Sequence, residues 1–146
     1  MKAIFFEKHG GNDVLQYGEL PTPEPGPGDV RVAVRAAALN RLDVFVRNGI
    51  PHVKLPQIPG ADAAGVVDAL GEGVAGFTPG DRVLVQPGLF CGACEMCLAG
   101  EQSLCATYRI LGEHTRGTFA ESVVVPARNL FPVPERLSFE EAAAFP

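Results

Sequence analysis

Four cysteines, and no others, lie between positions 91 and 105: Cys91, Cys94, Cys97 and Cys105. Their spacing is C-x2-C-x2-C-x7-C. Two-residue gaps let a tight knuckle aim successive sulfurs at one point, and four thiolates about 2.3 Å from one ion complete a tetrahedral Zn2+ shell. A shell with every position taken has no place for water or substrate. Such a site is structural, and its metal affinity adds to folding free energy. Two disulfides or four free thiols are the alternatives, and four cysteines allow three pairings. No signal peptide precedes them and no Asn-x-Ser/Thr site occurs, so an oxidising compartment has no support and a cytoplasmic setting is expected. A redox Cys-x-x-Cys pair would need a βαβ context that is missing. Zinc is therefore the reading adopted, with residues 91–105 as a zinc-binding lobe.

The chain has 146 residues, 47% of them hydrophobic, which suits one domain with a real core. No apolar run approaches the ~20 residues that a membrane span needs. The formal charge is −5 and there is no basic tract, which sets nucleic acid aside as a partner. The 17 glycines and 13 prolines are spread along the chain as turns.

The order of elements reads as mainly β. Residues 1–8 and 14–20 are expected strands. Pro21 to Gly28, with four prolines, forbids helix and central strand and delivers the chain into a strand over 29–37. There Val30, Val32 and Val34 face one side, and Arg31 and Arg35 the other. Asn40 is a good N-cap, Asp43 follows three residues later, and Gly49 is a natural stop, so a short helix spans about residues 41–48. Its N-terminal amides with Arg41 suit an anion such as phosphate; a capped surface helix with solvated arginines is the other reading. Loop 49–60 holds His52, which has no acidic or cysteine neighbour in sequence and is expected to be exposed. Residues 61–70 form a small-residue strand in which Gly65 marks a bulge or a close backbone approach. Gly71 to Gly76 matches G-x-G-x-x-G, yet Thr78-Pro79-Gly80-Asp81 and a strand over 81–85 follow it. A dinucleotide fingerprint needs a helix there, so the glycines are read as turn geometry. Beyond the lobe, residues 118–126 and 129–133 are expected strands, with His114 in the polar loop before them. Ser138 and Glu141 form a capping box opening a helix.

With these segments in place, the chain resembles the medium-chain dehydrogenase/reductase superfamily, in its zinc alcohol dehydrogenase and quinone oxidoreductase branches. The resemblance rests on MKAIFFEKHGG, PGPGDVRVAVRAAALN, PGADAAGVV, GEGVAGFTPGDRV, the four-cysteine lobe and GTFAESVVVPARNLFPVP. It implies a GroES-like, partly open β-barrel over residues 1–146 with short helices and the zinc lobe, ending at the start of a linking helix, 138–146. It implies a Rossmann domain downstream that binds NAD(H) or NADP(H), and a homodimer or homotetramer. It makes Cys91, Cys94, Cys97 and Cys105 the structural zinc ligands.

The same resemblance locates what is missing. Zinc alcohol dehydrogenases place a cysteine where Asn40 stands and Gly-His-Glu where Gly60-Ala61-Asp62 stands. One carboxylate cannot replace the three protein ligands that hold a catalytic zinc with one open position. Leu42 occupies the position of a proton-relaying hydroxyl. These departures are similar to the zinc-independent, quinone reductase-like branch, although Phe45 stands where many of its members carry tyrosine. The resemblance then implies a cleft with Asn40, Asp43 and Asp62 as catalytic-side residues and Arg41 on the cofactor pyrophosphate; Asp43 and Asp62 as purely structural acceptors is the other reading. The expected function is the N-terminal domain of an NAD(P)H-dependent oxidoreductase that transfers hydride to a quinone or conjugated carbonyl, with structural but no catalytic zinc, the domain alone being inactive. A zinc-dependent alcohol dehydrogenase is the alternative enzyme. A zinc-stapled binding or assembly module is the alternative of another class.

Overall fold

The computed structural model describes all 146 residues. The chain opens with β1 (Lys2–Phe5), paired antiparallel with β2 (Gln16–Glu19). A single 3-10 turn at Asn12–Val14 replaces the start of the strand expected from residue 14. It turns Val14 inward, where it packs with Phe6, Val46 and Val53. After the proline-rich connection come β3 (Asp29–Ala38), α1 (Arg41–Gly49) and β4 (Asp62–Leu70). Next are β5 (Arg82–Val85), β6 (Gly88–Leu89), α2 (Glu95–Leu98) and β7 (Arg109–Ile110). The chain finishes with β8 (Ser122–Pro126), β9 (Leu130–Pro132) and α3 (Phe139–Ala143).

The main sheet is antiparallel and five-stranded, in the order β8-β3-β4-β5-β9. Its two ends do not pair with each other, so the barrel is partly open. The alternation read in the sequence sets its inner face. Val30 and Val32 of β3, Val83 and Val85 of β5, and Val123 and Val125 of β8 are all buried in one cluster. Each such side chain removed from water stabilises the fold by about 1.5–3 kcal/mol. Arg31 on the opposite face reaches out to Glu24 at 3.0 Å and Asp68 at 2.6 Å.

Gly65 has a backbone reason. The β3–β4 register slips between Val34 and Ala36, and a Cβ on Gly65 would run into the Ala33 carbonyl. Only glycine lets the strands approach there. The Gly71–Gly76 stretch is a turn with no helix in it, and Gly73 and Gly76 take positive φ, +77° and +86°. That agrees with reading the pattern as turn geometry.

Strand β8 begins at Ser122, four residues later than expected. Residues 118–120 instead bridge two loops: the Thr118 amide donates to the Gly60 carbonyl (3.0 Å), the Phe119 amide to the Pro59 carbonyl (3.1 Å), and Ala120 pairs with Ala3. Helix α3 starts as expected, with Ser138 and Glu141 making a reciprocal capping box. It packs Ala142 and Ala143 beside Ala64 and Val133. No helix is long and apolar enough to cross a membrane.

Candidate metal centre and cleft

The cysteine lobe is an excursion from the barrel with a short β neck. Strands β6 and β7 pair Gly88 with Ile110 and Leu89 with Arg109, closing the loop between them. Within it, Cys94 caps α2 and Cys97 sits on that helix. Arg128, from the connection between β8 and β9, donates to the Cys91 carbonyl and ties the lobe to the sheet.

All four thiols are free of disulfides, and their sulfurs lie within 4.8 Å of one another. The Cys94 and Cys97 sulfurs are 3.5 Å apart, and those of Cys91 and Cys97 3.9 Å. A tetrahedral zinc with bonds of about 2.3 Å needs sulfurs separated by about 3.8 Å, so the cluster fits the ion with small movements. Backbone amides already point at the sulfurs. Cys91 Sγ accepts from the Ala93 and Cys94 amides (3.4 and 3.3 Å), which lower its pKa. Cys105 Sγ accepts from the Cys91 amide at 3.4 Å, and chiefly this bond lowers its pKa to about 6. Desolvation pushes Cys97 the other way, to about 12, so at neutral pH this thiol ionises only against a bound cation. Cys91, Cys94, Cys97 and Cys105 are the residues that would hold zinc, all four as thiolates.

Asn40 and Asp43, at the start of α1, come together with Asp62, the first residue of β4. Asn40 caps the helix: its Oδ1 accepts from the Leu42 amide at 3.1 Å. Its Nδ2 donates to Asp62 Oδ2 at 3.2 Å. Asp43 is buried, and both its oxygens are engaged by backbone: the Asn40 amide at 2.8 Å and the Gly60 amide at 2.9 Å. Desolvation is the main force on Asp43 and raises its pKa; the two amides oppose it, and the charge of Asp62 adds to it. Asp43 therefore splices helix α1 to the segment entering β4. Ala61 between them is buried and offers only a methyl group.

Arg41 stands apart from this network. Its guanidinium lies 5.5 Å over the Phe45 ring and joins no ion pair in the chain. Leu39 is 87% exposed and Phe45 50%. Leu39, Asn40, Asp43, Val44, Pro59 and Phe119 help to line a mostly apolar cavity of about 280 Å3. A larger hollow of about 490 Å3, between Gly76–Arg82 and Pro132–Glu135, contains none of these groups.

One constellation escaped the sequence reading. His52 is half exposed, as expected of its loop, but it has an acidic neighbour in space: its Nε2 lies 2.7 Å from Glu113 Oε1. The His114 ring stacks on it, with centroids 4.7 Å apart. The sequence separates His52 from Glu113 by 61 residues. Only the adjacent Glu113-His114 pair hinted at it.

An open antiparallel barrel carrying a four-cysteine lobe and a capped helix beside a cleft defines the class. The chain belongs to the alcohol dehydrogenase GroES-like domain family, whose family model matches residues 26–135. A crystal structure of an NAD-dependent alcohol dehydrogenase is 59% identical, with a TM-score of 0.97, over 100% of this chain and 43% of that one. A cobalt- and zinc-bound thermostable alcohol dehydrogenase from Pyrobaculum aerophilum is 40% identical, with a TM-score of 0.93, over 100% of this chain and 44% of that one. L-threonine 3-dehydrogenase of Anaeromyxobacter sp. (strain Fw109-5) is 40% identical over 149 residues, 99% of this chain and 43% of its own length. The chain thus spans about two fifths of the curated relatives it matches.

Proposed function

We propose that this chain is the substrate-side domain of a nicotinamide-dependent oxidoreductase that carries a structural zinc and works without a catalytic one. One observation carries the reading. Where a metal triad would have to assemble, the chain presents an amide hydrogen-bonded to a carboxylate, Asn40 to Asp62, beside the methyl group of Ala61. An amide, a methyl group and one carboxylate do not make an open three-ligand zinc site.

A carbonyl reduced in such a cleft develops negative charge on oxygen, and hydrogen-bond donors must meet it in place of a metal. Asn40 Nδ2 has two N–H groups and spends one on Asp62. The second is free to meet the oxyanion, and Asp62 and the helix cap hold the amide in place. The apolar walls at Leu39, Val44 and Phe119 favour a quinone or a conjugated carbonyl over a polyol. Arg41 and the α1 N-terminus suit the pyrophosphate of the cofactor. A bound NAD(P)H would supply the hydride. Asp43 serves as a positioning group, since both its oxygens are taken by backbone. The domain on its own turns nothing over.

The test is an assay of the longer protein, stripped of loosely held metal, with NADH or NADPH and a set of quinones, enones and alcohols. Reduction of the conjugated carbonyls, unchanged by added zinc, is expected. Alcohol oxidation that appears only with added zinc would favour the second reading, a zinc-dependent alcohol dehydrogenase, which the alcohol and threonine dehydrogenases among the relatives support.

A further inference from the structure

We propose that His52, Glu113 and His114 form a second metal site, for a late first-row divalent ion such as Ni2+ or Zn2+, clamping the loop after α1 to the turn after β7. Each residue offers one ligand atom, and the three atoms lie within 4.8 Å of one another. Two imidazoles and one carboxylate suit Co2+, Ni2+, Cu2+ and Zn2+, and three ligands leave open positions for water.

The frame is already set. Glu113 is buried, so its carboxylate has a fixed place and a need for positive charge. Its Oε1 is 2.7 Å from His52 Nε2 and 3.8 Å from His114 Nδ1. Cis ligands on an ion with bonds of about 2.1 Å stand about 3 Å apart, so small shifts of the two partly exposed rings suffice. The Ile110 amide donates to His114 Nδ1 at 3.1 Å, which leaves the lone pair on Nδ1 and the proton on Nε2. That is the tautomer a ligand through Nδ1 requires. On binding, the metal takes the Nδ1 lone pair and the Ile110 amide turns to water. The proton between His52 Nε2 and Glu113 leaves for the ring's other nitrogen or for solvent.

Both loops are held independently of any ion. Gln57, five residues beyond His52, donates from Nε2 to the carbonyls of Gly112, Glu113 and Thr115 at 3.0–3.1 Å. The ligands are thus presented by a braced pair of loops and include neither a lobe cysteine nor Asn40, Asp43 or Asp62. Without metal the same three groups form only a hydrogen-bonded cluster, and the experiment separates the two states.

The untagged chain, with its cysteine lobe loaded with zinc, is titrated calorimetrically with NiCl2, CoCl2, CuCl2, MgCl2 and CaCl2. One saturable nickel equivalent beyond the lobe zinc is expected, tighter than cobalt and weaker than copper, with no matching uptake of magnesium or calcium. His52→Ala and His114→Ala should each lose that equivalent while retaining the lobe zinc, which reports that they fold. Nickel should raise the melting temperature of the parent chain and of neither variant. No saturable uptake, or uptake equal in the parent and both variants, would overturn the site.

Discussion

Replacing Asp43 by alanine tests whether this carboxylate is a structural splice. The substitution strands two amide donors, those of Asn40 and Gly60, which now point at Asp43 from 2.8 and 2.9 Å. Hydrogen bonds to a charged acceptor contribute about 1.5–3 kcal/mol each, or about 3–6 kcal/mol together. The buried carboxylate's desolvation, the main cause of its raised pKa, offsets part of this, and a net loss of about 3 kcal/mol is expected at neutral pH. In a domain of this size that lowers the melting temperature by about 6–12 °C. The assay is urea and thermal unfolding of the zinc-loaded chain. Asp43 binds its proton more tightly in the folded than in the unfolded chain. Its protonation therefore contributes stability that is full below the ordinary aspartate pKa and is lost as pH rises through the raised folded value. The stability gap between the parent and Asp43→Ala should be widest in acid, narrow across that window, and stay flat above it. A gap under about 0.5 kcal/mol at pH 7, the range of an ordinary surface substitution, would refute the splice.

Three other outcomes are expected. Cys97→Ser should yield a chain without lobe zinc in which residues 91–105 become sensitive to protease while the strands of the main sheet stay protected, as read by limited proteolysis and hydrogen exchange. Gly65→Val drives side-chain atoms into the Ala33 carbonyl and should destabilise the fold by about 3 kcal/mol in urea, with overpacking of the β3–β4 pair as the cause. In the longer protein, Arg41→Ala should raise the KM for the nicotinamide cofactor several-fold and leave kcat nearly unchanged, as expected for a group that binds without touching the reacting atoms.

The parts of the fold legible in the sequence were those set by local chemistry. Alternation at Val30, Val32 and Val34 placed β3, and Asn40, Asp43 and Gly49 bounded α1 within a residue. Gly65 marked the bulge, and the cysteine spacing marked the lobe. The misplaced strand starts, at residues 14 and 118, share one cause. Val14 is drawn into a core with Phe6 and Val53, and Thr118 and Phe119 are bonded across to Pro59 and Gly60, partners that no local pattern specifies. The site divides in the same way. The cysteines are neighbours in sequence and were legible as a unit. Asn40, Asp43 and Asp62 were picked out by resemblance, and their mutual hydrogen bonds became visible only once α1 met β4. His52 and Glu113 are paired only by the fold.

The proposed function requires zinc in the cysteine lobe and none at Asn40 and Asp62. The most direct measurement is the content and ligand set of tightly held zinc, by elemental analysis and X-ray absorption on the chain produced with excess zinc and then dialysed extensively. One zinc with four sulfur neighbours is expected, lost in Cys97→Ser, and no zinc that depends on Asp62; any zinc held at His52, Glu113 and His114 is absent from His52→Ala and unchanged in Asp62→Ala. A second dialysis-resistant zinc with oxygen or nitrogen ligands that disappears in Asp62→Ala would contradict it.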